Sequence, residues 1–161
     1  MPSPSRDQRG TLRQVTTVHN ERFADLDTAT LYALLKLRVD VFVVEQACAY
    51  PELDGRDAEP GTRHLWVTGT DPTQPLAYLR VLTEPDGTMR IGRVVTTPSA
   101  RGRGLARRLV EVALGVDPSA TTVINAQSHL VDFYSKLGFT PSGAEFLDDG
   151  IPHVPMRRAR R

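Results

Sequence analysis

A chain of 161 residues with 40% apolar content has enough apolar material for one hydrophobic core, and its formal net charge of +1 gives no general electrostatic case for nucleic acid. A single cysteine excludes an intrachain disulfide framework, and no stretch approaches the ~20 apolar residues of a membrane-spanning helix. These features predict a cytoplasmic protein in which the Pro/Ser/Arg-rich residues 1–11 form a flexible tail and residues 12–161 form one domain.

In chain order, "LRQVTTV" (Leu12 to Val18) predicts a first strand. Asp27 or Thr28 then caps a helix whose apolar positions Leu31, Leu34, Leu35 and Leu37 recur at near-helical spacing toward Val41 and Phe42. From Glu45 to His64 acids, Pro and Gly mix without period, which predicts a long loop, and loops of that length in compact domains are often functional. "HLWVTGT", "PLAYLRVLTE" and "MRIGRVVTT" predict three strands joined by the turn segments "DPTQ" and "EPDGT", hence an antiparallel meander. A helix over Gly104 to Gly115, a strand "TTVINAQ", a helix "HLVDFYSKLG" and short strands near "FTPSG" and "HVPMRR" complete the order β-α-βββ-α-β-α-ββ. No internal repeat or second-domain linker interrupts it.

The stretch "VVTTPSARGRGLARRLVEVAL" (Val94 to Leu114) places two glycines among arginines between a strand and a helix. A helix N-terminus offers unpaired N–H groups and partial positive charge, and Gly102 and Gly104 allow close approach of an anion such as a phosphate. Arg101, Arg103, Arg107 and Arg108 add charge at the same end. A Gly-capped turn before a solvated Arg-rich helix face would read the same way from this loop alone. The Gly-Lys-Ser/Thr of a Walker loop and the Gly-x-Gly-x-x-Gly of an early βαβ unit are both absent.

Arg101-Gly102-Arg103-Gly104-Leu105-Ala106, with Pro98 upstream, resembles the Arg/Gln-x-x-Gly-x-Gly/Ala signature of the GNAT N-acetyltransferase superfamily, and "DFYSKLGF" (Asp132 to Phe139) resembles its Tyr-x-x-x-Gly-Phe segment. The resemblance covers the chain from about Val15 onward. "LRVDVFVVEQACAYPELDGRDAEPGTRHLW", "INAQSHLVDFY" and "DGIPHVPM" are further similar to an ElaA-like branch, with Ala49 where a Pro commonly follows the Cys. The resemblance implies an α/β (α+β) fold with a central mixed, mostly antiparallel, splayed sheet flanked by helices. It also implies acetyl-coenzyme A as donor in a ternary complex without a covalent acetyl-enzyme. By the same carry-over, the pantetheine meets the strand edge at Val94, Val95 and Thr96, and the pyrophosphate meets Arg101, Gly102, Arg103, Gly104, Leu105 and Ala106. Gln127 lies where a cofactor-contacting Asn often sits, with Asn125 as the other candidate.

Attack of an amine on a thioester needs the free amine and a protonated or hydrogen-bonded leaving thiolate. The resemblance assigns the acid to Tyr134, against the alternative of a core tyrosine packed beside Phe133 and Phe139. His153 is the candidate base, with His64 more simply explained as a hydrogen-bonded structural residue and ordered water as a further route. Glu45, Glu52 and Asp54 on the acidic loop are candidates for recognising a cationic acceptor. That acceptor is a small-molecule amine or a peptide or lysine amine. Cys48 reads as a small buried side chain rather than a nucleophile. The histidines show no ligand spacing with it, so no metal is expected. The rival functions are a non-catalytic coenzyme A-binding module and nucleic-acid binding through "RRLVE" and "MRRARR", the latter disfavoured by near-neutral charge. No membrane partner is expected, and no coiled-coil pattern decides between a monomer and a homodimer.

Overall fold

The computed structural model describes residues 15–160, so the expected tail and the Leu12–Gln14 part of the first expected strand lie outside the described residues. The strands are β1 (Thr17–Arg22), β2 (Arg63–Thr68), β3 (Pro75–Thr83), β4 (Met89–Thr96), β5 (Thr122–Gln127), β6 (Thr140–Pro141), β7 (Phe146–Asp148) and β8 (Ile151–Arg158). They form one sheet in the order β1-β2-β3-β4-β5-β8-β6, with β7 also pairing β8. Every pairing is antiparallel except β4 with β5, whose connection crosses over through a helix. β7 was not foreseen: "AEFLDDGIPHV" turns at Asp149 and Gly150, both left-handed, and so makes a hairpin from what composition suggests is loop.

The helices are α1 (Thr28–Arg38), α2 (Leu105–Leu114) and the single turn α3 (Val131–Ser135). Asp27 caps α1 by accepting from Thr30 N at 2.7 Å, satisfying one of the first-turn donors. Beyond Arg38 the chain continues as a π-helical segment, Val39–Glu45, which accounts for the expected extension toward Phe42. Alternation along β3 distributes the core. Ala77, Leu79 and Val81 join Leu105, Leu109, Val110 and Ala113 of α2 on one face, whereas Tyr78 joins Leu34 and Leu37 of α1, with Trp66 and Val95, on the other. Period-2 strands between helices therefore give a two-sided core.

One irregularity positions the site. In the β3–β4 register Tyr78 faces Val95 and Arg80 faces Gly92, so Leu79 stands opposite both Arg93 and Val94, and Arg93 takes a left-handed φ of 53°. This extra residue is a β-bulge that bends β4. Pairing of β4 with β5 is confined to Met89–Thr122 and Arg90–Val123, and past that point the two strands separate.

Candidate active site

The separated strands open onto a cavity of about 880 Å³. Val94, Val95 and Thr96 line one side, Asn125 and Gln127 the other. A strand edge that has left its neighbour offers backbone N–H and C=O groups to a ligand, because such groups must find partners somewhere. All five residues are those the sequence assigned to the donor, and the fold brings them to one cleft.

Between Arg101 and Ala106, which line the cavity, Gly102, Arg103, Gly104 and Leu105 are not lining residues; Gly102 and Gly104 adopt φ of 78° and 73°, and Gly104 directly precedes α2. A Cβ built at either position meets nothing within 4 Å, so it is the left-handed backbone rather than packing that calls for glycine, and open space lies in front of the loop. The first-turn amides of α2 have no side-chain cap at Gly104, which leaves that helix end suited to an anion. Arg101 lines the cavity and grips Glu45 through two bonds, Nη1 to Oε1 at 2.8 Å and Nη2 to Oε2 at 2.6 Å. This pair holds the Glu45 carboxyl below its usual range. Arg107 and Arg108 instead serve Glu111 and Thr16.

Tyr134 is 3% exposed yet lines the cavity, with Phe133 and Phe139 edge-on to its ring at centroid distances of 4.9 and 5.9 Å. Burial pushes its phenol well above the ordinary value, so it stays protonated across the working pH range. The catalytic and packing alternatives are therefore not exclusive: the ring is core, and the residue also borders the cleft. His153, across from Gln127 in the β5–β8 register, lines the same cavity. Its Nδ1 lies 2.7 Å from Ile151 O, a contact that needs a proton on Nδ1 and leaves the Nε2 lone pair available in the neutral ring. Phe146 of the unforeseen hairpin stacks on that ring at 5.8 Å. His64, by contrast, is buried with both nitrogens engaged, Nδ1 with Tyr78 Oη at 2.7 Å and Nε2 with Asp57 O at 3.0 Å.

The acidic loop differs from expectation. Glu52 and Asp54 are not among the residues that line the cavity, and arginines of the fold hold them. Glu52 is 3% exposed, accepts from Arg38 Nε at 2.8 Å and from Tyr50 Oη, and lies 2.9 Å from Arg93 Nε. Asp54 is held by Arg80 through bonds of 2.8 and 2.5 Å, and this pairing holds its carboxyl well below the usual range. Asp57 bridges Arg38 and Arg80 at 2.8 and 3.1 Å. Burial alone would raise the Asp57 carboxyl, but the two guanidiniums overcome it and keep the group ionised. Of the three expected acceptor residues only Glu45 lines the cavity.

Tyr50, Arg80 and Arg93 were not anticipated as cleft residues. Two signals were present in the sequence: an arginine inside the apolar run "LAYLRVL", and Arg38 on the apolar face of α1. A buried charge requires a buried partner. Among the described residues no group of three or more His, Cys, Asp or Glu side chains is placed to hold a metal, and no helix is long and apolar enough to cross a membrane.

A family model described as an acetyltransferase (GNAT) domain matches residues 37–160. A UPF0039 protein of Mycobacterium tuberculosis is 51% identical over 137 residues, covering 83% of this chain and 87% of that one. The protein ElaA of Escherichia coli is 37% identical over 141 residues, covering 84% and 91%, and its crystal structure superposes with a TM-score of 0.82. The crystal structure of an acyl-CoA N-acyltransferase from Pseudomonas aeruginosa is 42% identical, covers 90% of this chain and all of that one, and gives a TM-score of 0.84. The bulged β4, the strand separation beyond it, the glycine loop ahead of α2 and these likenesses lead to one assignment: the chain belongs to the GNAT acetyltransferase family, in its ElaA-like branch.

Proposed function

We propose that the protein transfers the acetyl group of acetyl-coenzyme A to a primary amine by direct attack within a ternary complex. The observation that carries this reading is that one cavity is lined by the open β4 edge, by Arg101 and Ala106 at the two ends of the left-handed glycine loop, and by Tyr134. The backbone from Arg101 to Ala106 receives the pyrophosphate. The Val94–Thr96 edge pairs with the pantetheine amides, and Asn125 and Gln127 approach from β5. In the reaction the amine nitrogen bonds to the thioester carbon, the C–S bond breaks, and the thiolate leaves with the proton of Tyr134. His153 Nε2 accepts the proton lost by the amine, directly or through water.

Two readings compete with catalysis, a coenzyme A-binding module and a nucleic-acid surface. Acetyl-coenzyme A should raise the melting temperature, because a ligand that binds only the folded state stabilises it by mass action. Gly104→Val should abolish that rise, since it places a branched side chain in the clearance before α2. An unmoved melting curve at millimolar acetyl-coenzyme A contradicts donor binding. Stabilisation without thiol release in the presence of any amine favours the binding module. DNA affinity that falls steeply with salt favours the nucleic-acid reading.

A further inference from the structure

The arginine–carboxylate network beside the cleft is formally balanced, with Arg38, Arg80 and Arg93 against Glu52, Asp54 and Asp57, yet it is layered. Arg80 and Arg93 line the cavity while none of those three carboxylates does. The pattern continues at Arg90, which lines the cavity while its partner Glu84, 2.9 Å from Nε, does not. A molecule in this part of the cleft meets guanidinium edges, with the compensating negative charge behind them.

Two details show unused donor capacity. Arg80 is 4% exposed, and its two terminal nitrogens are taken by Asp54 and Asp57, but its buried Nε has no hydrogen-bond partner among the described residues. Arg93 Nε is also buried and makes no directed hydrogen bond, although Glu52 Oε2 lies 2.9 Å away. Buried donors are rarely left unpaired, and Arg80 Nε belongs to a residue that lines the open cavity, so an ordered water or a ligand atom reaching past the cavity wall would complete it. Space for one exists: Gly92 is the cross-strand partner of Arg80, and a Cβ there would meet nothing within 4 Å. Arg93, set on the bulge with its guanidinium 5.6 Å from the Tyr50 ring centroid, borders that space together with Tyr50.

We infer that the acceptor is an amine bearing a carboxylate close to the reacting nitrogen, an amino acid or a close analogue, whose carboxylate is received by the guanidiniums of Arg80, Arg90 and Arg93. The inference rests on the proposed acetyl transfer and replaces the expected recognition of a cationic acceptor by Glu52 and Asp54. At Arg80, Arg90 and Arg93 a polyamine or aminoglycoside would bring positive charge to guanidiniums, although Glu45, Asp148 and Asp149 also line the cavity. A carboxylate instead accepts from the guanidiniums, and guanidinium–carboxylate bonds are the strong, directional kind.

The test measures thiol release from acetyl-coenzyme A with the proteinogenic amino acids, each against its carboxamide and its decarboxylated amine. The carboxamide has the less basic amine, so at neutral pH more of it is free, and intrinsic reactivity favours it. A kcat/KM at least about tenfold higher for an acid than for its amide therefore reports recognition of the carboxylate. Arg93→Gln should raise KM for the acid about tenfold while leaving KM for the amide and for acetyl-coenzyme A unchanged, a split that general destabilisation would not produce. Arg90→Gln, at a side chain about one-third exposed (35%), gives the same readout if Arg93→Gln fails to fold. Amides or simple amines reacting as well as the acids would overturn the inference while leaving acetyl transfer intact. Calorimetry with N-acetyl amino acids and their amides, with and without coenzyme A, covers an enzyme that turns over nothing. Binding of the acids alone would support the carboxylate site even as the proposed reaction fell, and equal or absent binding would overturn it.

Discussion

The loop from Arg101 to Ala106 and the loop from Glu45 to His64 both carry dense charge, and they use it in opposite ways. Arg101 faces the cleft, about half exposed (46%), and its partner Glu45 is as open (42%). Glu52 and Asp57 are turned inward against Arg38, which is 1% exposed. Charge in the first loop is held where a ligand can take it. In the second it fastens an irregular segment to the sheet, where a left-handed Gly55 and a short 3-10 turn at Arg56–Ala58 lie among carboxylates held by arginines from α1, β3 and β4. Residue type alone does not separate these roles, because the partner lies tens of residues away.

The largest expected effect that would break this contrast is on stability. Arg38→Met removes the cation between two buried carboxylates and should cost about 3–5 kcal/mol, lowering Tm by about 10 °C or more, whereas Arg101→Ala should leave Tm nearly unchanged and weaken coenzyme A binding. Equal melting shifts for the two variants would remove the distinction. Acidification probes the same network without mutation. His64 is pushed below its usual 6.5 by burial, so the unfolded chain binds the proton first, and stability should begin to fall as pH drops below about 6.5. Asp54 and Asp57 are held below their usual 3.8, so their contribution is intact above that value and is lost as pH falls through their lower folded-state values. Tm measured from pH 8 to 2 should therefore decline in two stages. A Tm that rises on acidification would contradict the network.

The smallest effect sharpens the other side of the comparison. Glu45 occupies the guanidinium of Arg101, so a phosphate must share or displace it. Glu45→Gln should tighten acetyl-coenzyme A binding by a few-fold in a calorimetric titration, and an equal weakening would show that Glu45 supports the loop rather than competes for it.

Much of the fold was legible because it follows from periodicity. The apolar run "PLAYLRVL", the cap at Asp27, the glycine before Leu105 and the turn residues around Gly87 act locally, and the structure places β3, α1, α2 and the β3–β4 turn where they indicate. The glycine loop was legible for the same reason, since its left-handed residues and the helix it precedes are adjacent in sequence. The bulge at Arg93 was not, because an arginine carries no preference that marks a left-handed bulge. The β7–β8 hairpin that brings Phe146 onto His153 was missed because "AEFLDD" lacks alternation. The fate of Glu52 and Asp54 depended on Arg38, Arg80 and Arg93, contacts that only the folded sheet creates.

Acyl transfer from a coenzyme A thioester assisted by Tyr134 stands or falls on thiol release from acetyl-coenzyme A in wild type and Tyr134→Phe. Phenylalanine keeps the ring between Phe133 and Phe139 and removes only the hydroxyl. In the variant kcat should fall by about 10²–10⁴ with acetyl-coenzyme A affinity preserved, because the lost proton donor acts mainly in the transition state. Since burial raises the phenol, the wild-type alkaline limb should lie above the ordinary tyrosine value of 10 and be absent from the variant. Unchanged turnover with an unchanged pH profile would contradict the account and leave Tyr134 as a packing residue.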